Sequence, residues 1–317
     1  MKPVFLLSLP RAGSTLLQRL LMAHSAIGSC GEPWLALPMV QMFEAGGAFS
    51  TYGHSSLVRS GRHLMEQLPA GRQDLLSAAG SYLREVYTKL SGEGTEYFLD
   101  KTPRYYKIIA ELQAMLPEAK FIVLRREPVA VYASILNYIE GQMHLLPTWE
   151  QDIVEGIPKI GEGLELLSGN CHLVDYEKLV VDPSTVLKGV LDYLGLEFSE
   201  SLLGALAQTK VARGDQTGMR KYSTVSAASL DGWKQTVNSR VKRRIASKWF
   251  ERVSAADFER YGYDKGEQLE KLSELSVRFS LRDELAWQVG SVYFNYQLNV
   301  LRWGHQRRRN GQLATLY

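Results

Sequence analysis

The chain has 317 residues, of which 45% are hydrophobic and 22% are charged, a composition typical of a folded globular protein. Its formal net charge of +3 gives no argument for nucleic-acid binding, and its two cysteines, Cys30 and Cys171, exclude a disulfide framework. No run of about 18 apolar residues occurs, so no membrane-spanning helix is expected. Because no signal peptide is visible after Met1, we expect a cytoplasmic protein.

The first predicted element is a buried strand that leads through a tight turn into a helix, within Val4–Leu17. Backbone N–H groups and the positive end of the helix dipole converge at such a turn, which predicts an anion site. Arg11 adds a full positive charge, and the hydroxyls of Ser14 and Thr15 add donors. No lysine follows Gly13, so the loop is not a Walker A motif. We expect it to hold a phosphate-like group; an ordinary strand-to-helix turn is the alternative.

Short apolar runs bounded by turn residues predict four buried strands with helical patterns between them. They are Val4–Leu9, Tyr97–Leu99, Lys120–Leu124 and Cys171–Val174. The alternation predicts an α/β fold, with a P-loop-type central parallel sheet flanked by helices. A fifth strand is expected, but no segment of the sequence places it.

Local signals predict one well-defined helix and one loop. Asp182 as N-cap and Pro183 in the first turn begin a helix that ends at Gly195. Residues 44–62 contain many Gly and Ser residues with little periodicity, so we expect a loop or flexible insertion there.

The end of the chain predicts a helical extension, residues 266–317, that packs on a main domain formed by residues 1–265. Asp283 and Glu284 begin this helix and three arginines end it, which complements the helix dipole. We expect its apolar stripe to face the core; a dimer contact or a membrane-surface contact is the alternative. The stripe consists of Leu281, Leu285, Val289, Val292, Tyr296, Val300 and Trp303.

A second candidate anion site follows the strand at residues 120–124. This strand delivers Arg125 and Arg126 to the carboxyl edge of the sheet, where ligands of open α/β folds bind. Pro128 then begins a helix, and Ser134 lies two turns into it. An arginine and a hydroxyl in this arrangement predict a clamp for a terminal phosphate. Pairing of the arginines with surface carboxylates is the alternative.

Together the two sites resemble the sulfotransferases that use 3′-phosphoadenosine 5′-phosphosulfate (PAPS). Leu9–Leu16 is similar to their 5′-phosphosulfate loop, and Arg126–Ser134 is similar to their 3′-phosphate motif. Val174–Pro183 and Ser229–Lys234 also agree with the family, and the likeness covers roughly residues 4–250. The resemblance implies that PAPS is bound by Arg11, Ala12, Gly13, Ser14, Thr15, Arg126, Ser134, Trp233 and Lys234, with Arg220 and Lys221 as further candidates.

The nearest likeness is to the tyrosylprotein and carbohydrate branch of that family. Ser29–Pro33 is similar to the Gly-Glu segment of the tyrosylprotein enzymes, and Asp100–Pro103 also resembles that branch. The resemblance implies that Glu32 is the catalytic base and that Lys101 contacts the transferring sulfonate. Arg11, with Lys101 and the loop N–H groups, is expected to oppose the charge on the leaving phosphate. The resemblance further implies transfer of a sulfonate to a hydroxyl of a glycan, peptide, lipid or small natural product, leaving adenosine 3′,5′-bisphosphate. The six histidines show no metal-ligand spacing, so no metal is expected.

Two rival functions remain open at this stage. Tyr97–Asp100 is an apolar run ending in Asp, which suits a Mg²⁺-binding carboxylate of a P-loop kinase that uses ATP, although the loop lysine is missing. A non-catalytic nucleotide-binding module is the second rival. His24 and His54 are the next candidates for the base. The acceptor and the oligomeric state are not predicted, but segments 34–75 and 138–165 are expected to line the acceptor pocket, with Trp34, Phe43, Tyr52, Tyr138, His144 and Trp149.

Overall fold

The computed structural model describes residues 1–42, 44, 47, 53–205 and 230–309, with side chains described for all of these up to residue 294 and for residue 296. Five parallel strands form one sheet in the order β2-β3-β1-β4-β5. The strands are β1 (Lys2–Ser8), β2 (Ile27–Ser29), β3 (Tyr97–Asp100), β4 (Lys120–Arg125) and β5 (Cys171–Asp175). The four predicted strands are confirmed to within two residues at each end. The unplaced fifth strand is β2, whose three residues are too few to show a pattern.

Helices connect and cover the strands. In chain order they are α1 (Ser14–Leu21), α2 (Ala36–Gln41), α3 (His54–Gln67), α4 (Arg72–Leu90), α5 (Ile109–Met115), α6 (Pro128–Tyr138), α7 (Glu150–Val154), α8 (Gly156–Leu166), α9 (Tyr176–Val181), α10 (Pro183–Leu194), α11 (Ser201–Gly204), α12 (Gly232–Thr236), α13 (Arg240–Glu251), α14 (Ala255–Tyr261), α15 (Lys265–Ser273) and α16 (Leu281–Arg309). Two 3-10 turns cover Tyr105–Ile108 and Met143–Trp149.

The central strands β1, β3 and β4 are buried on both faces, as expected for parallel strands covered by helices. The edge strand β5, predicted as buried, has only Val174 buried, so that part of the prediction was wrong. Along β1, Val4 and Leu6 pack into a cluster with α1 and α10, whereas Phe5 and Leu7 pack into the larger cluster on the other face. The predicted α/β class with a central parallel sheet flanked by helices is therefore confirmed. Because all five strands run in parallel, their carboxyl ends meet at one edge, where the loops that follow β1, β2, β3 and β4 converge.

The helix predicted after Asp182 has the predicted ends. The Asp182 side chain accepts a hydrogen bond from the backbone N–H of Thr185 at 3.1 Å, and Gly195 ends the helix in the left-handed conformation at φ +79°. The loop prediction for residues 44–62 was wrong from His54 onwards, because α3 begins there; residues 45, 46 and 48–52 lie outside the described residues. Only His54, Val58 and Gly61 of α3 are buried, and this narrow buried face explains why the sequence shows so little helical periodicity.

The C-terminal helix α16 packs on the body of the protein with a different face from the one predicted. Leu281, Leu285, Val289, Val292 and Tyr296 are all more than half exposed, so the expectation that this stripe faces the core was wrong. The packed face carries Ala286, Trp287 and Gly290 instead. A Cβ at Gly290 would lie 2.2 Å from the Cα of His144, so only glycine permits this close approach to the 3-10 turn at Met143–Trp149.

The division predicted at residue 265 falls at the first residue of α15, which is joined to the sheet domain by buried polar contacts. Gln268 accepts from the backbone N–H of Val129 at 3.2 Å, and its amide donates to Glu127 at 3.2 Å. Leu272 lies in the main core. The domain division remains a prediction.

Candidate active site

The loop between β1 and α1 has the geometry of an anion site. Gly13 adopts φ +103° and precedes the first turn of α1, whose N-terminal N–H groups lack partners within the helix. Gly13, Ser14 and Thr15 line a cavity of about 240 Å³ together with Arg11, which itself has φ +68°. Ala12 is buried and does not line the cavity. Its backbone N–H donates to the carbonyl of Leu9 at 3.2 Å.

Gly13 also packs against the ring of Tyr176, so no larger residue fits at this position of the loop. A Cβ at residue 13 would lie 2.4 Å from the ring of Tyr176, and its φ is one that L-residues avoid. We expect Gly13→Ala to lower the free energy of unfolding by about 2 kcal/mol or more, from backbone strain and overpacking together. Urea denaturation measures this loss. Gly204→Ala is the matched control, because nothing lies within 4 Å of that position; an equal effect in both variants would contradict the account.

The predicted base and the predicted lysine form an ion pair beside this loop. Lys101, at the end of β3, donates from Nζ to Oε1 of Glu32 at 2.8 Å. The Lys101 side chain is 2% exposed, and that of Glu32 is 21% exposed. Both residues line the same cavity as Arg11, Gly13, Ser14 and Thr15. The indole N–H of Trp34 donates to the other carboxylate oxygen, Oε2, at 3.3 Å.

Asp100, the last residue of β3, points away from this cavity. Its Oδ2 accepts from the hydroxyl of Tyr87 at 2.5 Å and its Oδ1 accepts from the hydroxyl of Thr102 at 2.7 Å. The side chain is fully buried and does not line either described cavity. It is therefore not placed to bind a metal ion there, which removes the main support for the kinase alternative.

Burial has an electrostatic consequence at Asp100. Desolvation raises the pKa of this carboxyl to about 6, although hydrogen bonds from Tyr87 and Thr102 oppose the shift. Between about pH 4 and pH 6 the unfolded chain loses this proton while the folded chain keeps it, so stability from this group falls as the pH rises. The raised pKa corresponds to a fall of about 3 kcal/mol in all, most of which occurs between pH 4 and pH 7.

We expect Asp100→Asn to remove this pH-dependent cost. The free energy of unfolding of the variant minus that of the wild type should rise by about 3 kcal/mol between pH 4 and pH 7. Urea denaturation of both proteins at the two pH values measures the difference. If the free energy of unfolding of the variant minus that of the wild type were the same at both pH values, the pKa of Asp100 would not be raised in the folded protein.

Aromatic side chains and one buried ion pair form the outer wall of the small cavity. Trp34, Tyr138 and Trp149 line it, and the Arg11 guanidinium lies 4.7 Å from the centre of the Tyr138 ring. Arg104 donates two hydrogen bonds, of 2.8 and 2.7 Å, to the fully buried carboxylate of Asp152. Its guanidinium lies 5.6 Å from the centre of the Trp149 ring. Because Asp152 neutralises Arg104, this wall presents mainly aromatic rings.

Arg126 lines a second, larger cavity and contacts Arg11, which lines the small one. It is 6% exposed, its guanidinium stacks 4.1 Å from the Tyr176 ring, and Nη1 donates to the carbonyl of Arg11 at 3.3 Å. It lines a cavity of about 500 Å³ that Trp233 and Lys234 also line. Ser134 lines the small cavity instead, so the predicted clamp residues Arg126 and Ser134 line different cavities, which have no described lining residue in common.

The neighbouring Arg125 has a structural role. Its guanidinium pairs with Asp175 and donates to the carbonyl of Tyr261 at 3.3 Å. The pairing alternative thus holds for Arg125, which lines neither described cavity. Burial is the largest single influence on the pKa of Asp175 and would raise it. The hydrogen bonds and positive charges of Arg125 and Lys178 together outweigh burial, so the pKa lies below its usual value.

The larger cavity also contains Lys271 and Glu274, which lie outside every sequence motif, and charged motif residues whose contacts the motifs did not predict. Lys271 bonds Glu127 at 2.6 Å, and Glu177 accepts from the backbone N–H of Glu127 at 2.9 Å. Lys234 pairs with Asp231 at 2.7 Å. The described lining carries three cations against four carboxylates, namely Arg126, Lys234 and Lys271 against Glu127, Glu177, Asp231 and Glu274.

Some predicted residues lie elsewhere or outside the described residues. His24 accepts from the N–H of Ala26 at 3.1 Å, and neither it nor His54 nor His144 lines either described cavity. Arg220, Lys221, Phe43 and Tyr52 lie outside the described residues. Within the part of the chain that is described, no cluster of three potential metal-binding side chains occurs, and no helix is long and apolar enough to cross a bilayer.

Comparison with known proteins identifies the family. A family model described as "Sulfotransferase family" matches residues 3–200, which is more than half of the chain. The chain belongs to the sulfotransferase family. The region matched by the family model includes Arg11, Glu32, Lys101, Arg126 and Ser134, and ends before Trp233 and Lys234.

Individual relatives agree with this membership. The sulfotransferase chain is 28% identical to nodulation protein NoeE of Sinorhizobium fredii over 73% of its own length, and this match spans 59% of NoeE. It is 26% identical to protein-tyrosine sulfotransferase 1 of Danio rerio over 82% of its length and 72% of the relative. A solved sulfotransferase domain from the curacin biosynthetic pathway has the same fold, with a TM-score of 0.52 and 21% identity over 88% of this chain and 99% of that one.

Proposed function

We propose that this protein transfers a sulfonate group from PAPS to a hydroxyl of an acceptor. The single observation that carries the proposal is the Glu32–Lys101 pair, which faces the anion-binding loop across one small cavity. A carboxylate that can take a proton and a buried cation thus lie beside donors for a phosphosulfate group. These are the requirements of group transfer between an anionic donor and a hydroxyl.

The donor set fits the two ends of PAPS. The small cavity offers Arg11, Lys101 and the N-terminal N–H groups of α1, which suit a phosphosulfate. The larger cavity offers a volume of about 500 Å³ for a nucleoside, with Trp233 in its lining and Arg126 for the 3′-phosphate. The other two described cations of this lining, Lys234 and Lys271, are paired with Asp231 and Glu127, so we assign the 3′-phosphate to Arg126.

The chemistry assigned to the chain is proton removal and charge stabilisation. In the transfer, the acceptor oxygen forms a bond to sulfur while the bond between sulfur and the 5′-phosphate oxygen breaks. Glu32 takes the acceptor proton. Arg11, Lys101 and the loop N–H groups oppose the negative charge that develops on the leaving phosphate, as positioned cations do in phosphoryl transfer. No metal ion is part of this proposal.

The acceptor enters this proposal only as a class of hydroxyl compounds. A glycan, a peptide, a lipid or a small natural product would each meet the aromatic wall formed by Trp34, Tyr138 and Trp149. Some relatives bear the name protein-tyrosine sulfotransferase, which makes a tyrosine peptide one acceptor to test. The cytoplasmic location expected from the composition also stays a prediction.

Calorimetry and a transfer assay test the proposal. We expect adenosine 3′,5′-bisphosphate to bind more tightly than ATP with Mg²⁺ in isothermal titration. We also expect ³⁵S-labelled PAPS to label at least one of four acceptors: an oligosaccharide, a tyrosine peptide, a lipid alcohol and a phenol. Preference for ATP with Mg²⁺ would favour the kinase alternative. Binding of the bisphosphate without transfer to any of the four would favour a nucleotide-binding module.

A further inference from the structure

The two oxygens of Glu32 are held by two different donors. Lys101 donates to Oε1 at 2.8 Å, and the Trp34 indole N–H donates to Oε2 at 3.3 Å. A carboxylate that is held at one oxygen can still turn about its last bond. A second donor on the other oxygen restricts that rotation and fixes the plane in which the lone pairs lie. Trp34 therefore supplies the second of the two contacts that orient this carboxylate.

Trp34 itself is held in an uncommon backbone conformation. Its φ is +55°, in the left-handed region that residues other than glycine seldom adopt. Such a conformation persists where the surroundings fix it, and functional sites are where it concentrates. Arg11 and Arg104, two of the three other non-glycine residues with positive φ among those described, line the same cavity.

A chain of hydrogen bonds connects Trp34 to the core. Its backbone N–H donates to the hydroxyl of Thr102 at 3.3 Å, and that hydroxyl donates to Asp100 at 2.7 Å. The other oxygen of Asp100 accepts from the buried hydroxyl of Tyr87 at 2.5 Å. The conformation of the indole is thus linked to groups in the core that do not touch the cavity.

The backbone on either side of Trp34 is held by hydrogen bonds that do not involve the indole. The Gln18 amide donates to the carbonyl of Cys30 at 2.8 Å, and the backbone N–H of Ala36 donates to the hydroxyl of Tyr105 at 2.9 Å. These contacts hold the chain on either side of Trp34. Replacement of the indole by another ring is therefore expected to leave the path of the backbone in place.

We propose that Trp34 is a positioning residue for Glu32, and that Thr102, anchored on Asp100, holds Trp34 in place for this role. The inference rests on the proposed function, in which Glu32 accepts the acceptor proton. Trp34 acts through the carboxylate and takes no proton itself. Its effect should therefore fall on kcat, and it should vanish when the carboxylate is absent.

A double-mutant cycle tests the proposal, using ³⁵S-labelled PAPS and whichever of the four test acceptors the wild type uses fastest. Trp34→Phe keeps a ring but removes the N–H, and we expect it to lower kcat about tenfold. The KM for the acceptor and the Kd for adenosine 3′,5′-bisphosphate should stay within about twofold of the wild type. The double variant with Glu32→Gln should be no slower than Glu32→Gln alone, because the residue through which Trp34 acts is gone. If the fold loss in kcat of the double variant equals the product of the losses in the two single variants, the proposal is wrong.

Thr102 gives a second, independent test. Thr102→Val removes the hydroxyl and should lower kcat, whereas Thr102→Ser keeps the hydroxyl and should restore most of the loss. Trp287→Phe, on α16 and outside the site, controls for the loss of a tryptophan and should leave kcat unchanged. Equal losses in the valine and serine variants would contradict the role of the hydroxyl.

The two proposals fail in different ways. If the wild type transfers no sulfonate, or if Glu32→Gln retains full turnover, the proposed function or its base is wrong. If the wild type is active and Glu32→Gln is slow, but Trp34→Phe retains the wild-type kcat, the proposed function stands and the positioning role is wrong.

Discussion

Glu32→Gln is expected to lower turnover about 100-fold or more, the usual effect of removing a general base. The amide keeps the size of the side chain but cannot take the acceptor proton. The Kd for adenosine 3′,5′-bisphosphate should stay within about twofold, because Glu32 touches Lys101 and Trp34 and is not assigned to donor binding. Steady-state transfer assays with labelled PAPS, combined with calorimetry on the bisphosphate, separate the two effects.

Glu93→Gln is the matched control for this variant, since Glu93 is exposed and lies outside both cavities. It should leave turnover and donor affinity unchanged. Normal turnover in Glu32→Gln would show that another group takes the proton. A loss of both turnover and donor affinity would indicate instead that the pair with Lys101 holds the cavity together.

Arg126→Ala is expected to weaken the binding of adenosine 3′,5′-bisphosphate about 10- to 100-fold, the range for losing one charge-assisted hydrogen bond to a phosphate. The affinity for adenosine 5′-phosphate, which lacks the 3′-phosphate, should change much less. Isothermal titration of both nucleotides measures the two effects. The comparison between nucleotides also separates a lost phosphate contact from general damage, since Arg126 stacks on Tyr176 and bonds the carbonyl of Arg11.

Arg125→Ala is the matched control for Arg126→Ala, because the two residues are adjacent and only Arg126 lines the large cavity. Loss of its pair with Asp175 should reduce stability while leaving the Kd for the bisphosphate within about twofold. If both arginine variants bound the bisphosphate as tightly as the wild type, the 3′-phosphate site would have to lie elsewhere.

The sheet was largely predictable because its strands carry their own signal. β1, β3 and β4 are short apolar runs because helices cover both faces of the sheet there, and turn residues mark their ends. The edge strand β5 is also a short run, although only Val174 in it is buried. β2 has only three residues, among them Gly28 and Ser29, and it is a strand because it pairs with β3. No local pattern could reveal it.

The orientation of α16 could not be predicted from its apolar stripe. Hydrophobic periodicity predicts which face of a helix is buried, but here the helix packs through the face that can approach the 3-10 turn at Met143–Trp149 most closely. Gly290 allows the helix to approach His144, and a larger residue there would prevent it. The exposed stripe and the packed face lie on opposite sides of the same helix, and the sequence gives no measure of that competition.

The candidate site was predictable where a residue follows directly from a strand end. Arg11, Lys101 and Arg126 each come just after or at the end of a strand, and the parallel sheet brings them to one edge. The contacts of Arg104, Glu177 and Lys271 were not predicted, because their partners are 48 to 144 positions away and only the tertiary structure brings them together. Trp34 is only two positions from Glu32, but its contact depends on a left-handed backbone conformation that the sequence does not indicate.

A crystal structure with adenosine 3′,5′-bisphosphate tests most directly whether the small and the large cavity bind opposite ends of a single donor. The account predicts one bisphosphate spanning both, with its 5′-phosphate on the N–H groups between Gly13 and Thr15 and its 3′-phosphate bonded to Arg126. A nucleotide that leaves either Arg11 or Arg126 without contact, or that lies wholly within one cavity, would contradict it.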